Sequence, residues 1–193
     1  GAAEVRDVGN NCRVAPTKFA GALTVSATGP IGYPGYDLWI ADYSSVGMSR
    51  VDVAAPGGDY NRATGTRQDA ILAALSSTSD PANGIWDFFD FLETNGGPGF
   101  DGLTVLANDG SRYGYLNGTS MSSPHAAGVA ALVKENHPNW GPSAIKAAVQ
   151  RTSQHLDCPP EQFDGDPRHC YGSGGRTSFF GHGLVDAAAA AGE

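Results

Sequence analysis

Glycine and proline punctuate this chain at about every fifth position, with 27 glycines and 12 prolines among 193 residues. Each one either frees or locks the backbone, so many turns and few long helices are expected. One stretch escapes this rule. From Thr119 the chain runs TSMSSPHAAGVAALVKENHP, in which Ala126, Ala127, Ala130 and Val133 recur at helical spacing and predict one buried face. Pro124 is acceptable only in a first turn, which predicts a helix start close to Ser120–Ser123, and His137-Pro138 ends it.

Around that helix the signals are shorter. Residues 22–27 (ALTVSA) and 51–54 (VDVA) are apolar runs bounded by turn residues and read as buried strands. Residues 71–75 (ILAAL) fit a strand or a helix, and 104–107 (TVLA) fit another strand. A second helix opens at Pro142 and carries Ile145, Ala148, Val149 and Thr152 inward; GHGLVDAAAAAG reads as a turn and a short Ala-rich helix. Alternating strands and helices in a chain of this length imply one α/β layered domain. The aromatic burst at Trp86, Phe88, Phe89 and Phe91 stands outside that pattern.

Charge narrows the function classes. Twelve basic against twenty acidic side chains give a net charge of −8 with no Lys/Arg cluster, which argues against nucleic-acid binding. The longest apolar run, Ala126–Val133, is far short of the roughly 20 residues of a membrane span. Low charge with an acidic excess fits a soluble, secreted protein. The first residues, GAAEVRDVGNN, carry no secretory signal, so that signal is expected to be removed or to lie upstream. Cys158 and Cys170 bracket the turn-rich segment CPPEQFDGDPRHC, where a disulfide is favoured over two free thiols because the loop has no apolar pattern to hold it. His169 is adjacent, but no C-x-x-C pair or fourth ligand completes a zinc site. Cys12 is left over, either free or paired elsewhere.

The chemistry concentrates in Asn117-Gly118-Thr119-Ser120-Met121-Ser122-Ser123-Pro124-His125. A hydroxyl at the mouth of a helix has two readings. It can cap the helix, which is the common use of Ser and Thr there. It can also act as a nucleophile whose tetrahedral oxyanion meets the unpaired first N–H groups and the positive end of the helix dipole. An α/β-hydrolase elbow is excluded, because G-x-S-x-G needs Gly at position 122, which is Ser. Asn117-Gly118-Thr119 also matches a glycosylation sequon, a false positive beside a nucleophile.

The run G-T-S-M-S-S-P-H-A-A-G-V-A-A-L resembles the nucleophile motif of the subtilisin-like serine proteases. Further segments follow in that family's order: Ala15–Gly21 leading into ALTVSAT, then Tyr43-Ser44-Ser45-Val46-Gly47, Val51–Gly57 ending in A-P-G, and the closing turn Gly181–Ala187. The resemblance implies a three-layer α/β sandwich with a mostly parallel sheet. Residues 1–193 would be the C-terminal portion of one peptidase domain, with an aromatic insertion around 78–102. It makes Ser120 the acyl-forming nucleophile, with its backbone N–H in the oxyanion hole. Thr119 and Met121 would line the substrate, Met121 on the leaving-group side. Polypeptides would be the substrates.

Two members of the triad have no match. All five histidines, His125, His137, His155, His169 and His182, follow Ser120, whereas the family carries its H-G-T-H segment upstream. His125 matches the non-catalytic histidine of S-P-H, and His182 sits in the closing turn. Asp42, Asp52 and Asp59 are not in the family's D-[ST]-G setting. Gly9-Asn10-Asn11 lacks the apolar strand that positions the family's oxyanion Asn, so Asn10 is not assigned that role. A serine without a base is a negligible nucleophile near neutral pH. The expected partner is therefore the upstream N-terminal part of the same domain, and the chain alone is expected to be inactive. The rival reading is a non-catalytic binding or structural remnant, with Ser120 only a cap; an esterase on the same scaffold is a third. No cofactor is assigned. The family often uses calcium, but Asp157, Asp164 and Asp166 supply too few ligands and are read as solvated acids.

Overall fold

The computed structural model describes residues 19, 21–31, 37–59, 67–75, 94–95, 102–159 and 168–192. The expectations for Asn10, Cys12, the aromatic residues 86–91 of the insertion, Asp164 and Asp166 lie outside them. Strands β1 (Val25–Ile31), β2 (Asp37–Ile40) and β3 (Val53–Pro56) form one sheet in the order β2-β1-β3. Strands β4 (Ile71–Ala74), β5 (Thr104–Leu106) and β6 (Arg112–Leu116) form a second, ordered β4-β6-β5. Helices α1 (Thr119–Asn136), α2 (Pro142–Thr152) and α3 (Ala187–Ala191) follow, and a single 3-10 turn at Arg67–Asp69 leads into β4.

The first sheet is an α/β core. β1 and β3 are parallel, pairing Val25 with Val53 and Thr28 with Pro56. The closing turn extends this parallel arrangement at the outer edge of β3: Ala54 bridges Leu184, with Ala54 N–H donating to Gly183 O at 2.8 Å and Val185 N–H to Ala54 O at 2.9 Å. β1 starts three residues later than the apolar run ALTVSA and continues to Ile31, because β2 folds back antiparallel on Thr28–Ile31. Pro30 is tolerated there because β3 ends opposite Thr28, leaving no ladder on that side to need its missing N–H. Residues 71–74, ambiguous from periodicity, are a strand because β6 pairs antiparallel along all four.

Side chains alternate across the sheet. Val53 faces a helix layer with Val129, Val133, Ala148, Val149 and Ala190, while Ala54 faces Ile40, Phe179 and Phe180 on the other side. Phe179 and Phe180 meet edge to face with centroids 6.0 Å apart. α2 begins with Pro at its first positions and buries Ala148 and Val149; Ile145 and Thr152 are half-buried. α3 is capped by Asp186, whose carboxylate accepts from Ala189 N–H at 2.9 Å. The turn between α1 and α2 is closed by Lys134, which donates to Pro138 O and Trp140 O at 2.8 and 2.9 Å, and by His137 stacked on Trp140.

The buried face of α1 differs from the expected one. Ser122, Ala126, Val129 and Val133 are buried, whereas Ala127 is exposed. The observed set advances by steps of four and three, the spacing that keeps one stripe against the sheet. Among the described residues, no helix is long and apolar enough to cross a membrane.

Candidate active site

β6 delivers the chain into Asn117-Gly118, and α1 starts at once at Thr119. The turn requires glycine: Gly118 has φ 153° and ψ 159°, a conformation that L side chains rarely adopt. It is also the N-cap residue, and it makes no side-chain cap hydrogen bond. Thr119 and Ser120 are therefore the first two helical residues, both exposed, and neither hydroxyl is the N-cap. Their N–H groups have no carbonyl one turn back inside the helix and point out of its positive end.

Pro124 is the sixth residue of α1 rather than part of its first turn. Its missing N–H removes the donor that Ser120 C=O would otherwise receive. The helix starts earlier than expected because Gly118 O already accepts from Met121 N–H at 3.0 Å and Ser122 N–H at 3.4 Å.

The turn rests on the loop that follows β3. Gly118 N–H donates to Gly57 O at 3.0 Å, and Gly57 N–H in turn donates to Thr28 O at 2.9 Å. The approach is close enough to exclude a side chain: a Cβ on Gly57 would stand 2.5 Å from Ser122 Oγ, 2.6 Å from Ala27 Cβ and 2.9 Å from Gly118 O. A Cβ on Gly58 would stand 2.6 Å from Asn117 Oδ1. Asn117 Oδ1 and Ser122 Oγ are both buried without a hydrogen-bond partner among the described residues. The A-P-G run pointed toward this loop, but the seating of Gly57 and Gly58 beneath the turn before Ser120 was not legible from spacing.

The histidines are dispersed. His125 lies about 140° around α1 from Ser120, and its Nδ1 is 2.7 Å from Met121 O on the same helix. His137 is stacked on Trp140, and His155 Nε2 pairs with Asp157 Oδ1 at 3.0 Å. His182 lies in the closing turn, its N–H donating to Asp52 O at 2.8 Å. Burial, with Arg176 next in importance, lowers its pKa below the ordinary 6.5, while Asp52 pulls the other way. Asp52 itself is buried in a structural network, accepting from Lys146 Nζ at 2.6 Å, Gln150 Nε2 at 2.9 Å and Thr24 N–H at 2.9 Å. Asp59 is 3% exposed and accepts from Asp42 N–H at 2.8 Å. Cys158 and Cys170 are joined by a disulfide with Cα atoms 5.5 Å apart. Among the described residues, no three His, Cys, Asp or Glu side chains cluster to hold a metal.

The chain is similar in sequence and in fold to known proteins. The chain is 37% identical over 145 residues to Subtilisin-like protease SBT4.3 of Arabidopsis thaliana, covering 70% of this chain and 15% of that one. It is 51% identical over 51 residues to the CO(2)-response secreted protease of the same plant, covering 26% of this chain and 7% of the relative. The chain thus spans only a small part of the curated relatives it matches. Among solved structures, fervidolysin from Fervidobacterium pennivorans, a keratinolytic enzyme related to subtilisin, superposes with a TM-score of 0.59 at 25% identity, over 93% of this chain and 20% of that one. The α/β fold is that of these proteases. With the Peptidase_S8 (Subtilase family) profile matching residues 6–183, the chain belongs to the subtilase family.

Proposed function

We propose that this chain carries the nucleophilic half of a secreted serine endopeptidase, with Ser120 forming the acyl-enzyme. The observation that carries the reading is the position of Ser120: exposed, on the first turn of α1, with the capping position taken by Gly118. Ser120 Oγ attacks the scissile carbonyl and gives its proton to a histidine. The resulting oxyanion is held by Ser120 N–H at the positive end of the helix. The histidine returns the proton to the departing amine as the C–N bond breaks, and water then releases the acyl group. Thr119 and Met121 flank the nucleophile on either side in the chain and border the substrate.

The Asp and His come, in this reading, from an upstream part of the same domain, because His125 is turned away around α1, His137 is stacked on Trp140 and His155 is paired with Asp157. α1 leaves room for such a partner: Ala127, Gly128 and Ala131 are small and exposed, on the side opposite the buried stripe of Ser122, Ala126, Val129 and Val133. Secretion is supported by the secreted protease among the relatives.

The test is fluorophosphonate labelling with mass-spectrometric mapping of the modified residue. It is run on this chain alone and on this chain joined to an upstream segment bearing D-[ST]-G and H-G-T-H. Modification of Ser120 only in the joined protein is the expected result. Modification of the chain alone would mean that a base is already in place, with His125 and His182 the first to substitute. No modification in either sample would assign the chain to a non-catalytic module.

A further inference from the structure

Resting on the reading of Ser120 as nucleophile, we propose that Tyr43 is a positioning residue for it, acting through its hydroxyl on the two loops that hold the nucleophile turn. Tyr43 lies far from Ser120 in sequence, on the turn after β2, and 39% of its surface is exposed. Its hydroxyl end is nevertheless turned inward. Tyr43 Oη stands 2.8 Å from Gly57 O and 2.5 Å from Gly58 O, and its one proton is shared between these two carbonyls. Gly57 O also accepts from Gly118 N–H at 3.0 Å. One carbonyl thus receives both the nucleophile turn and the phenol, so the loop after β3 cannot shift without carrying Gly118 with it.

The turn that carries Tyr43 is braced on its other side. Arg168 Nη1 donates to Ala41 O at 3.1 Å and to Ser44 O at 2.7 Å, and its guanidinium carbon stands 5.9 Å from the centroid of the Phe179 ring. Ser44 Oγ accepts from Ala27 N–H at 2.9 Å, tying the same turn to β1. A rigid mount, a single hydroxyl and a shared carbonyl form a continuous path to the turn before Ser120. Burial, with smaller contributions from Asp59 and Asp42, raises the Tyr43 pKa well above its ordinary value against the pull of the Gly118 N–H. The phenol therefore keeps the proton it donates throughout the range in which a protease works.

The variant is Tyr43→Phe, which removes the hydroxyl and keeps the ring. Measured in the joined protein with a fluorophosphonate, the first-order inactivation constant is expected to fall about tenfold while the inhibitor's KI changes less than about twofold, because the change displaces the attacking oxygen and not the binding surface. Peptide hydrolysis should divide the same way, with kcat reduced and KM retained. The inactivation constant is read on the active molecules, and kcat is expressed per site titrated by the fluorophosphonate, so a loss of folded protein alone would leave both unmoved. Tyr43→Trp, which keeps an N–H donor on an aromatic ring, is expected to recover part of the loss, and it is the variant to read if Tyr43→Phe does not fold. Inactivation constants equal to the parent's in whichever variants fold would overturn the proposal. A parent protein that never labels Ser120 would remove the reading beneath it, and the proposal with it.

Discussion

His182 shows how one residue turns burial into pH dependence. Its pKa is lowered chiefly by burial and by Arg176, with Lys146 adding to the effect and Asp52 opposing it. Above the ordinary value of 6.5 the imidazole is neutral in both folded and unfolded chains and contributes nothing to the difference between them. Below it, the unfolded chain takes up the proton sooner, so stability falls as pH drops and levels off once the folded state is protonated too. Urea midpoints compared at about pH 7.5 and about pH 5 should therefore differ less in His182→Gln than in the parent. An equal difference in both would show that the acid sensitivity arises elsewhere.

At the scale of elements, the decisive contact is that of the loop after β3 with the start of α1. Gly57→Ala would drive a methyl into Ser122 Oγ, Ala27 Cβ and Gly118 O, and two of these three atoms sit on or beside backbone that cannot rotate away. The expected cost is roughly 1–3 kcal/mol of overpacking, read from chemical denaturation, and relief by the second change Ser122→Ala would identify the hydroxyl as the obstacle. How much of this was legible depended on range. Pro142 opening α2, the Ala-rich α3 and Ser120 at a helix mouth could all be read from a dozen consecutive residues. The face of α1 could not, because Ala127 and Val129 are both apolar and only the position of the sheet decides which one is buried. Nor could the meeting of Tyr43, Gly57 and Gly118, since each of these residues reads as ordinary turn chemistry until the sheet brings them together. Asp52 and Lys146 likewise meet across 94 positions of chain.

For the whole molecule, the stabilising cross-link lies far along the chain from the sheet it serves. The Cys158–Cys170 disulfide closes a short loop, and beside it Arg168 holds the 41–44 turn while Cys170 packs near Ile40 and Phe179. Replacing both cysteines by serine should lower stability by about 3 kcal/mol on the chain-entropy model. Because Arg168 is tethered by that loop, the loss should be accompanied by faster amide exchange at Ser44 and Ala27. Unchanged exchange there would confine the cross-link's influence to its own loop.

The bridge between Ala54 and Leu184 also orders events in time. β3 is made well before its outer neighbour, which is supplied by residues more than half of these 193 positions later. Pairings so distant in sequence are slow to form. A chain still emerging from the ribosome must hold β3 with that edge unfilled until the closing turn is synthesised. The pace of translation between Ala54 and Leu184 thus sets how long a neighbouring nascent chain has to occupy the place reserved for Leu184.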